Sequence, residues 1–165
     1  MIHVVTGDLA SVAADAVARP ATTRLEPLTP ALQRLDDAAG PKFKEQVRVR
    51  RDLPPGAAVV TGGGDLPAEY VVHLVLGAAA DTVTTDTLAR AVDAALWQCT
   101  QWQIATLACP VPAAGNLAVE AAARVLLEAV RRHMRHADHP TTVLIVTSSD
   151  SEHDLVSARI GKGEP

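Results

Sequence analysis

Residues 56–77, GAAVVTGGGDLPAEYVVHLVLG, hold two apolar, β-branched runs, 57–61 and 70–76, on either side of a glycine turn. Neither run alternates between apolar and polar residues. A strand with one wet face alternates, whereas an unbroken run must be covered on both faces, as in a sheet packed between helices. Residues 2–5, 104–109 and 142–147 form three further runs of this kind. All but the first are too continuous to be one-sided and are expected as central strands, with 70–76 paired in the sheet interior. Gly62-Gly63-Gly64 invites a phosphate-loop reading, but no Gly-Lys-Ser/Thr follows and the next element is a strand, so a turn is expected.

Helical stripes separate the runs. Thr29-Pro30 pairs an N-cap residue with proline at the first helical position, and Leu32, Leu35 and Ala39 share one face until Gly40-Pro41 stops the helix. Phe43 and Val47 continue in a second, short helix. Leu88, Ala91, Val92, Ala95, Leu96 and Cys99 mark a helix starting after Asp86, and Val119, Ala123, Leu126, Val130 and Met134 mark another. Ser151-Glu152-His153-Asp154 has capping-box spacing and opens a last helix through Leu155, Val156 and Ile160. The expectation is one α/β domain over residues 1–165, a three-layer α/β/α sandwich with a mixed, largely parallel sheet of about six strands and a frayed tail at 161–165.

Composition removes several function classes. A net charge of −4 and an aromatic content of 2% argue against a nucleic-acid partner, which needs a basic face or stacking rings. Cys99 and Cys109 sit in no metal or redox spacing, no leader pattern opens the chain, and no apolar run approaches the roughly 20 residues that span a bilayer. A reduced, cytoplasmic protein without membrane contact is expected. His133, His136 and His139 lack a completing carboxylate or cysteine, so no metal site is expected. Lys42, Lys44, Arg48, Arg50 and Arg51 read as a solvated helix face, and no cofactor is implied.

Asp8 directly follows the first strand, where open α/β sheets place ligands. It can accept a hydrogen bond from a ligand or merely close a turn. Gly115-Asn116 is expected to precede a helix, whose free N–H groups suit a diphosphate, although Asn116 can equally be a plain N-cap.

The chain resembles the macro domain family, which binds ADP-ribose. The resemblance is carried by Gly7-Asp8-Leu9, Asp15-Ala16-Val17, Ala38-Ala39-Gly40-Pro41 and Ala57 with Val60-Thr61. It continues through Leu66-Pro67-Ala68-Glu69-Tyr70-Val71-Val72-His73, Thr106-Leu107-Ala108-Cys109-Pro110, Val119-Glu120 and Ala122-Ala123-Arg124-Val125. It implies that Asp8 reads adenine N6 with the Leu9 backbone beside it, that Pro112, Ala113, Ala114, Gly115 and Asn116 form a phosphate loop, and that His73 is structural.

The functional loops depart from the family. Its Asn-Ala-Ala-Asn falls on Arg19-Pro20-Ala21-Thr22, and its glycine run with a following aspartate falls on residues 27–32, which hold neither. Its second phosphate loop is richer in glycine than residues 110–116. Arg19, with Arg24, can grip phosphate in place of the lost loop, or Arg19 can fill the pocket with a salt bridge. The ligand set is therefore Asp8, Leu9, Arg19, Ala21, Thr22 and residues 112–116. The function implied is weak binding of ADP-ribose, a related adenine nucleotide or an ADP-ribosylated molecule, without the usual hydrolase residues. The alternatives are an ADP-ribosyl or phosphate-ester hydrolase with replaced catalytic residues, and a scaffold with a closed pocket.

Overall fold

The computed structural model describes residues 1–48 and 52–162. Six strands form one sheet: β1 (Ile2–Thr6), β2 (Ala16–Thr22), β3 (Ala58–Gly62), β4 (Tyr70–Gly77), β5 (Thr106–Pro110) and β6 (Thr142–Thr147). Their order is β1-β6-β5-β2-β4-β3, parallel throughout except for the antiparallel β3–β4 pair. Among the described residues five α-helices cover it: α1 (Pro30–Ala39), α2 (Pro41–Arg48), α3 (Thr85–Gln101), α4 (Val119–Met134) and α5 (Asp150–Lys162). This is the expected mixed six-stranded α/β architecture.

Strand alternation sorts the core into two layers. Ala16, Ala18, Val72, Leu74 and Leu76 pack with α3 and α4, while Val17, Ala21, Val71 and Val75 pack with α1 and α2. The run at 70–76 is interior, as its unbroken burial requires. The run at 57–61 was expected to be central but is the edge strand β3. It is apolar throughout because α3 and α2 cover its two faces.

The strand that periodicity missed is β2. Its sequence, AVARPAT, holds an arginine and a proline, yet every residue in it is buried.

Helix starts follow local chemistry more closely than the stripes suggest. Thr29 caps α1 by accepting from the Leu32 amide, with proline at the first position, and Gly40 ends it at φ 88°. Helix α3 begins one turn before its first apolar residue, capped by Thr84. Helix α5 is capped by Ser149, which accepts from the Glu152 amide, and not by Ser151. Gly161 and Lys162 are the last residues of α5, and residues 163–165 lie outside the described residues. Arg50 and Arg51 of the expected basic face lie outside them too.

Residues 62–64 are a turn, as expected. Gly64 has φ +59°, and a Cβ there would stand 2.2 Å from the Ala39 carbonyl oxygen.

Candidate functional site

A cleft of about 510 Å³ opens at the carboxyl ends of the parallel strands. Its position follows from the sheet. The β2–β5 ladder covers only Ala16↔Leu107 and Val17↔Ala108, so the two strands are unpaired over their carboxyl-terminal halves. Pro20 faces this gap, and having no N–H it leaves no orphan donor on the open edge. A gap between neighbouring parallel strands is where α/β sheets receive ligands.

Gly7, Asp8, Leu9 and Ala10 follow β1 on one wall, residues 110–114 follow β5, and Thr147, Ser148 and Glu152 lead from β6 into α5. Leu28, Thr29, Ala31, Leu32, Arg34 and Ala38 of α1 and its approach complete the cleft. Among the described residues no phenylalanine, tyrosine or tryptophan lines it.

Of the ligand residues expected from sequence, Asp8, Leu9, Pro112, Ala113 and Ala114 meet on this cleft. Asp8 is exposed, and its Oδ1 accepts from the Ala10 amide at 3.0 Å. The carboxylate thus closes the turn after β1 and also faces the cleft, so the two roles left open in sequence coexist.

Arg19, Ala21, Thr22, Gly115 and Asn116 do not line it. Arg19 is fully buried. Its Nε donates to Asp36 Oδ1 and its Nη2 to Asp36 Oδ2, both at 2.6 Å, and Nη2 also donates to the Leu25 carbonyl at 2.8 Å. Nη1 lies 3.1 Å from His73 Nδ1. A guanidinium can only donate, so Nδ1 accepts and the proton of His73 sits on Nε2. Nε2–H then donates to Thr61 Oγ1 at 2.8 Å, and the Thr61 hydroxyl donates to the Gly62 carbonyl at 3.2 Å. The Phe43 ring stacks on His73 with centroids 5.8 Å apart and lies under the guanidinium.

Of the two roles open to Arg19, the geometry is that of the salt bridge. The register makes it so, because β2 and β4 pair Arg19 with His73 on the face covered by α1, which carries Asp36. Arg24 instead pairs on the surface with Asp52 at 3.2 Å. Thr22 Oγ1 accepts from the amides of Arg24 and Glu26 at 3.3 and 3.1 Å, which commits it to its own turn.

The second phosphate loop also differs from expectation. Helix α4 starts at Val119 with Ala118 as its uncapped N-cap, so Asn116 is not the cap and the helix start is not on the cleft. Gly115 has φ +56° and packs against the Ala80 carbonyl, where a Cβ would approach to 2.1 Å. It is therefore a packing glycine.

Sequence reasoning missed the α1 stripe Ala31-Arg34-Ala38 and Glu152. The i, i+3, i+7 spacing of the stripe was legible once α1 was placed. Glu152 lies within the expected capping box; Ser148 Oγ donates to it at 3.4 Å, and burial raises its carboxyl above the usual range against that hydrogen bond.

A second cavity of about 470 Å³ lies beyond α1, walled by Leu25, Val47 and charged groups including Asp36. Among the described residues no cluster of three metal-ligating side chains occurs and no helix is long and apolar enough to cross a membrane.

The Macro domain family model matches residues 21–126. A macro domain-containing protein from Cupriavidus necator is 30% identical over 96% of both chains. An O-acetyl-ADP-ribose deacetylase from Citrobacter rodentium is 41% identical over 45% of this chain and 44% of that protein. A Mycobacterium tuberculosis relative is 26% identical over 99% of this chain, which spans 45% of that protein.

Among solved structures, an Oceanobacillus iheyensis macrodomain variant with ADPR superposes with a TM-score of 0.84 at 19% identity, over 96% of this chain and 91% of that one. A Trypanosoma brucei macrodomain in complex with ADP-ribose superposes at 0.84 and 18%, over 97% and 69%.

Proposed function

The chain belongs to the macro domain family, and on that premise we propose that its cleft binds ADP-ribose or a related adenine nucleotide, without the family's usual hydrolysis. The observation that carries this reading is Asp8, a carboxylate on the rim of an open cleft of about 510 Å³ at the carboxyl ends of the strands, suited to accept from an adenine amino group. The open volume favours a binder over a closed scaffold. Binding is weak, because no aromatic ring lines the cleft to stack on the base, and stacking is worth about 1–3 kcal/mol per base.

Hydrolysis needs a group that orients water or takes a proton. Leu32 lines the cleft where the resemblance sets the family's aspartate, and the Thr22 hydroxyl is held in its turn. Asp36 is bound to Arg19 and Asp37 to Lys44, which leaves Asp8 and Glu152 as the cleft carboxylates among the described residues.

Melting curves with ADP-ribose, ADP and AMP test the reading. At ~100 times its dissociation constant a ligand stabilises the fold by about 2.7 kcal/mol, a shift of roughly 5–10 degrees for a domain of this size. Asp8→Ala should remove most of it. Unchanged curves at millimolar concentrations of all three ligands would overturn the proposal.

A further inference from the structure

A diphosphate in the cleft needs donors, and several of the backbone groups at its rim are already engaged or absent. Pro30, Pro110 and Pro112 have no N–H. At the start of α1 the Leu32 amide is held by Thr29 Oγ1 at 3.2 Å and the Gln33 amide by the Thr29 carbonyl at 3.0 Å. In the loop after β5, the Ala113 amide donates to Val111 O at 2.8 Å and the Leu117 amide to Ala114 O at 2.9 Å. The cleft also carries two carboxylates, Asp8 and Glu152, which repel an anion, and among the described residues that line it a single cation, Arg34.

Arg34 stands between Ala31 and Ala38 on the α1 face that borders the cleft, so its long side chain is unobstructed on that stripe. Arg19 and Arg24 are paired with Asp36 and Asp52. The Arg34 guanidinium is exposed and has no ion pair or hydrogen bond among the described residues. A planar, permanently charged fork suits two phosphate oxygens better than a point charge does.

We propose that Arg34 is the phosphate anchor of this cleft, the residue that determines its selection of ligands carrying a diphosphate. The inference deepens the adenine-nucleotide reading and rests on it for the ligand's other half.

Calorimetric titration of the full chain, its Arg34→Ala variant and its Arg34→Lys variant tests this with three probes: ADP-ribose, adenosine and inorganic pyrophosphate. Arg34→Ala should weaken ADP-ribose and pyrophosphate by about tenfold, the loss of one charge-assisted contact, and change adenosine by less than about twofold. Arg34→Lys should recover part of the loss, and both variants should melt like the parent because the side chain is exposed. If Arg34→Ala binds ADP-ribose and pyrophosphate as tightly as the parent, Arg34 is not the anchor. If pyrophosphate binds through Arg34 while adenosine does not bind and ADP-ribose binds no tighter than pyrophosphate, the adenine reading fails and the anchor stands. If none of the three binds the parent, both fall.

Discussion

Arg19 on β2 and Asp36 on α1 form a two-pronged ion pair, each prong 2.6 Å long, that joins the sheet to the helix forming one wall of the cleft. Both groups are out of water, at 0% and 9% side-chain exposure. Removing one partner of such a pair leaves a buried charge uncompensated, a loss of about 3–5 kcal/mol. Arg19→Met and Asp36→Leu should each destabilise by that order in urea unfolding, and the double variant by much less than their sum. Additive losses below about 1 kcal/mol each would show that the pair does not hold α1 to the sheet.

Gly115 should not tolerate a side chain. Its φ of +56° and the 2.1 Å approach of a Cβ to the Ala80 carbonyl are both backbone constraints that no rotamer relieves. Gly115→Ala is expected to cost roughly 1–3 kcal/mol and to lower the melting temperature by several degrees. Because Ala113 and Ala114 line the cleft, the variant should also lose affinity for ADP-ribose; melting curves with and without the ligand read both effects.

Cys99 and Cys109 should be unreactive in the folded protein. Burial pushes each thiol up to about 12 from an ordinary value near 9, and each is at most 2% exposed. The thiolate is the nucleophile, so native protein at pH 8 should resist a thiol reagent that titrates two cysteines after denaturation. The folded value exceeds the unfolded one, so this stabilisation is fully present below pH 9 and is lost as the pH rises towards 12. Rapid labelling of native protein at pH 8 would contradict this packing.

Glu152 should make binding of an anionic ligand depend on pH. Burial raises its carboxyl, so it takes up a proton earlier than an ordinary glutamate as the pH falls. Protonation removes a negative charge from the cleft, and ADP-ribose should bind a few-fold more tightly at pH 5 than at pH 7. Glu152→Gln should bind more tightly at pH 7 and give a flatter profile between the two. An equally steep profile in the variant would assign the effect to another group.

Much of the architecture is local and was legible in the amino-acid order. Leu74 and its neighbours must be buried on both faces because the run at 70–76 is apolar at alternate and intervening positions alike, with His73 its one strongly polar member. Thr29-Pro30 and Gly40-Pro41 bracket α1 because capping and φ restriction act within one turn. Asp8 reaches the cleft because a residue just after a parallel strand always emerges at that end of the sheet. The Ser151 capping box failed at the same range: Ser149 starts the helix two residues earlier by accepting from the Glu152 amide, and only the settled turn decides between the two serines.

What the order could not reveal is β2 and everything that depends on it. Read alone, Ala-Val-Ala-Arg-Pro-Ala-Thr has a charge and a helix breaker at its centre and resembles a loop. It is a buried strand because the β2–β4 register sets Arg19 beside His73, and α1 brings Asp36 over the same spot from 17 residues away. A charge becomes affordable inside a protein only when distant groups arrive to satisfy every donor, and that is a property of the assembled tertiary structure. The β2–β5 ladder stops at Val17, so both the position of the cleft and Arg34 as its single lining cation among the described residues were decided by how the strands meet.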